Sequence, residues 1–304
     1  MSQALVHRLK PAHLRLIRAI HDDGKLQLAA QAAGMSQPAA SRLLSEIETD
    51  AGGPLFERLP KGMRATPMGA AFVRHARVIL SEIDALSGEL GQLRDGTAGV
   101  LRVGAVTGPA VGALVPALMA LRAEMPDIQP TIEVAPSVTL IRGLEEGRFD
   151  FVLARTGSDN DTRAFLAAPG RREEVCLLVR GSHPLAGRRI SLAETLDYEF
   201  VIQEPGSPIR AALETAFLVN RLPTPETVTN SSSLLVALSL LTGSDVIAPQ
   251  TREVAETLIR AQTDVRILEA EEEIAVPPFL VLQFRHRQLS PVAQRVLDEV
   301  LRRL

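Results

Sequence analysis

The spacing of apolar residues divides the chain into three parts. From residue 10 to 47 apolar positions recur three and four apart, the period of a helix with one buried face. KPAHLRLIRAIH (10–21) predicts a first helix with Leu14, Ile17, Ala19 and Ile20 inward. In GKLQLAAQAAGMSQPAASRLLSEI (24–47), Leu26, Ala29, Ala30 and Ala33 make a second stripe, small enough for another helix to approach closely. Gly34 tolerates the positive φ that ends a helix. Ser36 is a good N-cap, and Pro38 stands in the first turn, where its missing N–H costs little. Ala40, Leu43, Leu44 and Ile47 then face inward, leaving Gln37, Ala39, Ser41, Arg42 and Ser45 outward. A short polar face with one arginine suits a helix reading base edges in a major groove. An ordinary helical hairpin with a solvated face has the same spacing, so the context must decide.

After Ile47 the pattern shortens. Gly52 and Gly53 break the helix, Leu55-Phe56 is an extended pair, 59–62 is a turn, and Met63-Arg64-Ala65 returns. Arg58, Lys61 and Arg64 lie at or near the tip of this predicted wing, within reach of phosphates beside a groove. Thr66-Pro67 opens a helix to about Arg94, in which Phe72, Ala76, Ile79, Ile83, Leu86, Leu90 and Leu93 alternate spacings of four and three. That 3.5-residue period predicts pairing with a second copy of the helix. Asp95–Gly99 reads as a hinge.

From Val100 the pattern alternates between strands and helices: VLRVGAV, a helix from VGALV, TIEVA, TLIRGLEEG as a helix, and FDFVLAR. GSDNDTR leads to a second set: EEVCLLVR, EFVIQ, a helix in IRAALETAFLVN, ETVTN, a helix in SSLLVALSLLT, DVIAPQ and VRILE. PPFLVLQFR and a helix from PVAQR close the chain. Such alternation predicts an α/β fold with a parallel sheet and crossover helices.

Composition adds a charge asymmetry. The 304 residues carry a net charge of −3, which by itself argues against nucleic acid, yet residues 1–66 hold nine Lys/Arg against six Asp/Glu. A mildly basic head on an acidic body fits a small DNA-contacting module joined to a different domain. No apolar run approaches the roughly 20 residues of a membrane helix, and MSQALVHRLKPAH lacks the apolar core of a signal peptide, so a cytoplasmic protein is expected. The single cysteine, Cys176, excludes an internal disulfide and, lying in EEVCLLV, reads as a buried structural thiol. His7, His13, His21, His75, His183 and His286 lack metal-ligand spacing, and neither a phosphate loop nor GxSxG is present. No enzyme, metal or cofactor is expected.

SQPAASR followed at the matching distance by LFERLPKGMRATPMG resembles the winged helix-turn-helix of LysR-type transcriptional regulators. The likeness extends over the whole chain in length and element order but is specific in the first 69 residues. Lys25 and Gln27 replace the family's usual Ser and Thr at the start of the second helix, and Ala51, Gly53 and Ala65 replace apolar residues near the wing. The resemblance implies three parts: a winged helix-turn-helix (1–66), a linker and dimerisation helix (67–95), and a two-lobed body like a periplasmic binding protein (96–304). Lobe one would be 99–163 plus 270–304, and lobe two 164–269. It also implies a homodimer or homotetramer on an interrupted inverted repeat of double-stranded DNA, with RNA polymerase as a candidate partner.

Candidate DNA contacts are Ser36, Gln37, Pro38, Ser41, Arg42, Arg58, Lys61 and Arg64. In open α/β sheets ligands sit beyond the carboxyl ends of strands, near helix N-termini. Thr107-Gly108, Ser137-Val138 and Asn230-Ser231 meet that condition, and Arg155-Thr156 and Gln203 also follow strands. Plain helix capping would explain each singly, but the resemblance places effector contacts at these same loops. Hydroxyls and free N–H groups there favour a small anionic metabolite, whereas the head's likeness to the subgroup around the galactose-binding-protein regulator points to a sugar. Two rival readings are a periplasmic-type solute-binding protein, disfavoured by the basic head, and an effector-free DNA-binding protein, which would leave the α/β body unexplained.

Overall fold

The computed structural model describes residues 8–60, 62–95, 100–157, 164–261, 263–285 and 287–304, without the side chains of 85, 88, 89 and 91–95. Lys61, the Leu93 side chain, His7, His286, most of the 95–99 hinge and most of the 157–163 stretch therefore lie outside the described residues. The chain forms two compact units, one of residues 1–102 with 127–130 and 141–150, the other of residues 103–126, 131–140 and 151–304.

The first begins with three helices: α1 (Pro11–Asp23), α2 (Leu26–Ala32) and α3 (Gln37–Ala51). α1 ends on Gly24 at φ +63, whose N–H returns to the Ile20 carbonyl. α2 starts at Lys25 with no side-chain cap, the local result of lacking Ser or Thr there. Ser36 caps α3, accepting the Ala39 N–H at 3.4 Å. Leu16, Ile17, Ile20, Ala29, Ala30, Ala40, Leu44 and Ile47 are buried together. Leu16 joins that core although the helix-face reading left it out, and Ala19 is only half-buried. The wing is an antiparallel hairpin, β1 (Phe56–Leu59) and β2 (Gly62–Ala65), closed between Leu59 and Gly62.

α4 (Pro67–Asp95) carries two stripes rather than one. Val73, Ala76 and Leu80 pack into the head, Ala76 at 1 % exposure beside Leu14. Phe72 is half-buried against the same core. These two members of the expected dimer seam are thus corrected to head packing: the first turns of α4 are needed to cover α1. Ile79, Leu86 and Leu90 remain exposed, at 41, 55 and 57 %, and Ile83 is half-exposed.

After α4, β3 (Val100–Ala105) leads to a helical stretch, α5 (107–121), with a π-helical segment at Ala110–Leu114. β4 (Gln129–Val134), α6 (Ser137–Glu145), β5 (Phe151–Ala154) and β6 (Phe165–Pro169) follow. β7 (Glu173–Arg180), β8 (Arg189–Ile190) and a 3-10 turn (Leu192–Thr195) come next, then β9 (Phe200–Ile202), α7 (Pro208–Val219), β10 (Val228–Asn230) and α8 (Leu234–Gly243). β11 (Ala248–Thr251), α9 (Arg252–Arg260), β12 (Val265–Ile267), β13 (Glu269–Ala270), β14 (Ala275–Val276), β15 (Leu280–Phe284) and α10 (Pro291–Arg302) complete it.

The first sheet has the order β4-β3-β5-β15-β6 and is mixed: β3 and β5 are parallel, while β15 runs antiparallel to both β5 and β6. Around β7, the strands β11, β12 and β14 are all antiparallel. The expectation of a parallel sheet is therefore corrected, because the closing strands arrive from the opposite direction. The lobe boundaries shift too. β6 pairs with β15 along its length and belongs to lobe one, and β14 pairs with β7 and belongs to lobe two. The crossings fall at 170–172 and 277–279, a few residues later than 164 and 270. Gly170 donates to the Phe279 carbonyl at 2.9 Å, and a Cβ at Gly170 would lie 2.6 Å from that oxygen. Only a glycine lets the two crossing strands touch there.

Candidate nucleic-acid interface and effector site

On α3 the outward set stands as its helical phase requires. Gln37, Pro38, Arg42 and Ser45 are exposed, Ala39 and Ser41 half-exposed, and Ser36 occupies the cap. Arg8, Lys10 and His13 share one concave surface with Pro38, Ser41, Arg42 and Ser45. Sequence patterning missed these three, which precede or open a helix whose apolar stripe drew the reading. Burial, then the Lys10 charge, holds the His13 imidazole below its usual pKa.

The wing cations do not share one face. Register pairs Glu57 with Arg64 and Arg58 with Met63, and neighbouring positions on a strand point to opposite sides. Arg58 and Arg64 are both exposed, and Arg64 forms an ion pair with Glu57 at 2.9 Å. An exposed pair of this kind is weak and exchanges readily for a phosphate.

In the body the candidate residues fall into two clusters. In the first, Ser137 Oγ accepts the Arg155 N–H at 3.0 Å. The Arg155 guanidinium donates through Nε to the Pro277 carbonyl at 2.8 Å and through Nη2 to the Glu173 carboxylate. Side-chain exposure is 14 % for Arg155 and 2 % for Glu173. Burial lowers the Arg155 pKa to about 10, still far above neutrality, so the guanidinium stays charged beside Glu173. Gly108 closes over it: a Cβ there would sit 1.8 Å from Glu173 Oε1 and 2.8 Å from Thr251 Oγ1. Both oxygens are buried without a hydrogen-bond partner. Thr107 is exposed at the start of α5, Val138 at the start of α6, and Thr156 is half-buried.

In the second cluster, β9 and β10 run parallel with Asn230 opposite Ile202, and the Ser231 N–H donates to the Ile202 carbonyl at 2.8 Å. Arg210 donates to Asn230 Oδ1 at 2.6 Å and to the Gln203 carbonyl at 3.4 Å. Gln203 Oε1 is a further buried acceptor without a partner. Glu173, Thr251 and Arg210 are the residues that strand-end reasoning missed. A charged residue opening the otherwise apolar EEVCLLV run was the one available signal.

Cys176 is buried on β7, and burial pushes its thiol up to about 11, which removes nucleophilic thiolate at neutral pH. Among the described residues no group of His, Cys, Asp or Glu is arranged to hold a metal, and no helix is long and apolar enough to cross a membrane.

Two family models match the chain. The bacterial regulatory helix-turn-helix protein model of the lysR family matches residues 11–70, and the LysR substrate binding domain matches 94–304. The chain belongs to the LysR family. It is a DNA-binding transcription regulator with an effector-binding domain, not an enzyme. It is 36 % identical over 257 residues to the HTH-type transcriptional regulator GbpR of Rhizobium radiobacter, covering 84 % of this chain and 85 % of that one. The GbpR of Azospirillum brasilense is 32 % identical over 292 residues, 95 % of this chain and 85 % of the relative. Among solved structures, full-length CbnR complexed with its target DNA superposes with a TM-score of 0.62 at 21 % identity, covering 97 % of this chain and all 100 % of that one. A full-length OxyR variant from Pseudomonas aeruginosa superposes equally, at 0.62 and 20 % identity, over 97 % of this chain and 95 % of that chain. At such identities these two show the LysR fold alone.

The buried pair gives a direct test. Arg155→Met should leave the Glu173 charge uncompensated and cost about 3–5 kcal/mol of stability, whereas Arg155→Met with Glu173→Met should recover most of it. Denaturant unfolding of both variants measures the difference; equal losses would show that the pair is not coupled.

Proposed function

We propose that this LysR-family regulator reads its operator with Gln37, Ser41 and Arg42 while Arg58, Lys61 and Arg64 contact phosphates. The carrying observation is the exposed polar face of α3, held out by the Ser36 cap and the alanine-lined packing behind it. Two chains pair through the outer stripe of α4, formed by Ile79, Ile83, Leu86 and Leu90, and bind an interrupted inverted repeat with half-sites about 34 Å apart. The effector contacts the Thr107-Gly108, Ser137-Val138 and Arg155-Thr156 loops of one cluster and Gln203, Asn230 and Ser231 of the other.

The effector we infer is a small neutral polyhydroxy compound rather than an anion. The positive charge of Arg155 is already spent on Glu173, and the guanidinium's Nε is committed to Pro277. Glu173 Oε1, Thr251 Oγ1 and Gln203 Oε1 are buried and unpartnered. Glu173 Oε1 and Gln203 Oε1 accept and Thr251 Oγ1 both donates and accepts, and sugar hydroxyls can meet all three without adding charge.

Arg42→Ala should cost about 1–3 kcal/mol of discrimination between the operator and an unrelated duplex. Competition binding measures it, and unchanged selectivity removes Arg42 from the base-reading set. Leu86→Asp would place a charge in the α4 seam, so sedimentation should report a smaller species with weaker operator binding; an unaltered sedimentation coefficient rules the seam out. Calorimetry of the full chain with aldohexoses and with dicarboxylates should give heat only for the former. Saturable dicarboxylate binding would restore the anionic reading.

A further inference from the structure

The wing is four residues per strand, and an isolated two-stranded hairpin is marginal in water. Its placement therefore depends on what grips it. Glu48, near the end of α3, accepts the Leu55 N–H at 2.8 Å and the Phe56 N–H at 3.2 Å through the same Oε1. This ties the start of β1 to the helix whose other end carries the polar recognition face. On the second strand, the Met63 N–H donates to the Gly24 carbonyl at 2.7 Å, which ties β2 to the C-terminal end of α1. Gly62 makes that approach possible. Its φ is +146, and a Cβ would lie 2.4 Å from the same Gly24 oxygen. A side chain there must push the hairpin away from α1 or distort the turn.

We propose that Glu48 and Gly62 are positioning residues for DNA binding. Gripped at one strand by α3 and at the other by α1, the wing holds Arg58 and Arg64 at a set distance from the recognition face, so groove and phosphate contacts are made together. Neither residue needs to touch DNA. The inference rests on reading the wing as a phosphate-contacting element.

The experiment uses the full-length protein and a generic duplex of random sequence, with the slope of log K against log[salt] as readout, because each lost phosphate contact lowers that slope by about one. Arg58→Ala with Arg64→Ala calibrates the contribution of the wing. Gly62→Ala and Glu48→Ala are expected to lower the slope toward that calibrated value, with helical circular dichroism and the melting temperature of the body unchanged. Glu48→Gln keeps an oxygen acceptor in place and is expected to restore the wild-type slope, which a general loss of stability would not do. If Gly62→Ala fails to fold, the Glu48→Ala and Glu48→Gln pair decides. A wild-type slope in both Gly62→Ala and Glu48→Ala overturns the proposal, as does a Glu48→Gln variant as impaired as Glu48→Ala. A calibrating double variant with no change in slope overturns instead the phosphate-contacting wing on which the inference rests.

Discussion

The body is organised around a buried ion pair at the place where its two sheets exchange strands. A carboxylate taken almost wholly out of water is costly unless it is paired. Glu173 opens β7, the first strand after the outgoing crossing, and Arg155 follows β5 in the other sheet. The same guanidinium donates to Pro277 on the returning crossing. One side chain therefore ties the end of one sheet to both strands that leave it. Gly170 against Phe279 closes the crossing from the backbone side. Shifting either crossing by a residue would strip Glu173 of its cation, so the pair also fixes where each lobe begins.

The residue pattern shows single strands of the body but not the crossings, which the family resemblance alone implied. β7 is uniformly apolar from Val175 to Val179, and the strand is evident from that run alone. β6 is short, with the pattern FLAAP, and nothing local shows that it pairs with a strand more than a hundred residues away. α9 also escaped notice, because Val254, Ala255 and Leu258 make only a brief stripe between charged residues. Sheet membership and strand direction are long-range properties, and hydrophobic period reports only the nearest turns. The same limit applies to α4. Ala76 fits a 3.5-residue seam and packs on the head, because a period says that a face is apolar and not which neighbour covers it.

The head was more legible because its signals are local. Helix starts and stops depend on caps a few residues away, and Gly34 at φ +67 and the Ser36 cap stand where their chemistry requires. The outward face of α3 follows from those caps by phase alone. What escaped was the grip on the wing. Glu48 lies seven and eight residues from the N–H groups it accepts, and Gly24 meets Met63 across the whole helix-turn-helix. In the body the equivalent blind spot was the pairing of Arg155, because its partner Glu173 lies in the other sheet.

The unsatisfied acceptors around Gly108 bear on how the body could control the head. A ligand shifts a conformational equilibrium only by its difference in affinity between two arrangements. Each buried acceptor without a donor costs about 1–3 kcal/mol, so this arrangement is less stable than one in which a donor is supplied. A ligand hydroxyl that reached Glu173 Oε1 or Thr251 Oγ1 would recover part of that cost only in the arrangement that admits it. Coupling between allosteric sites is typically about 1–3 kcal/mol, so one or two such bonds suffice. Gly108 lies directly against both oxygens, so a side chain at that position would fill the space in front of them.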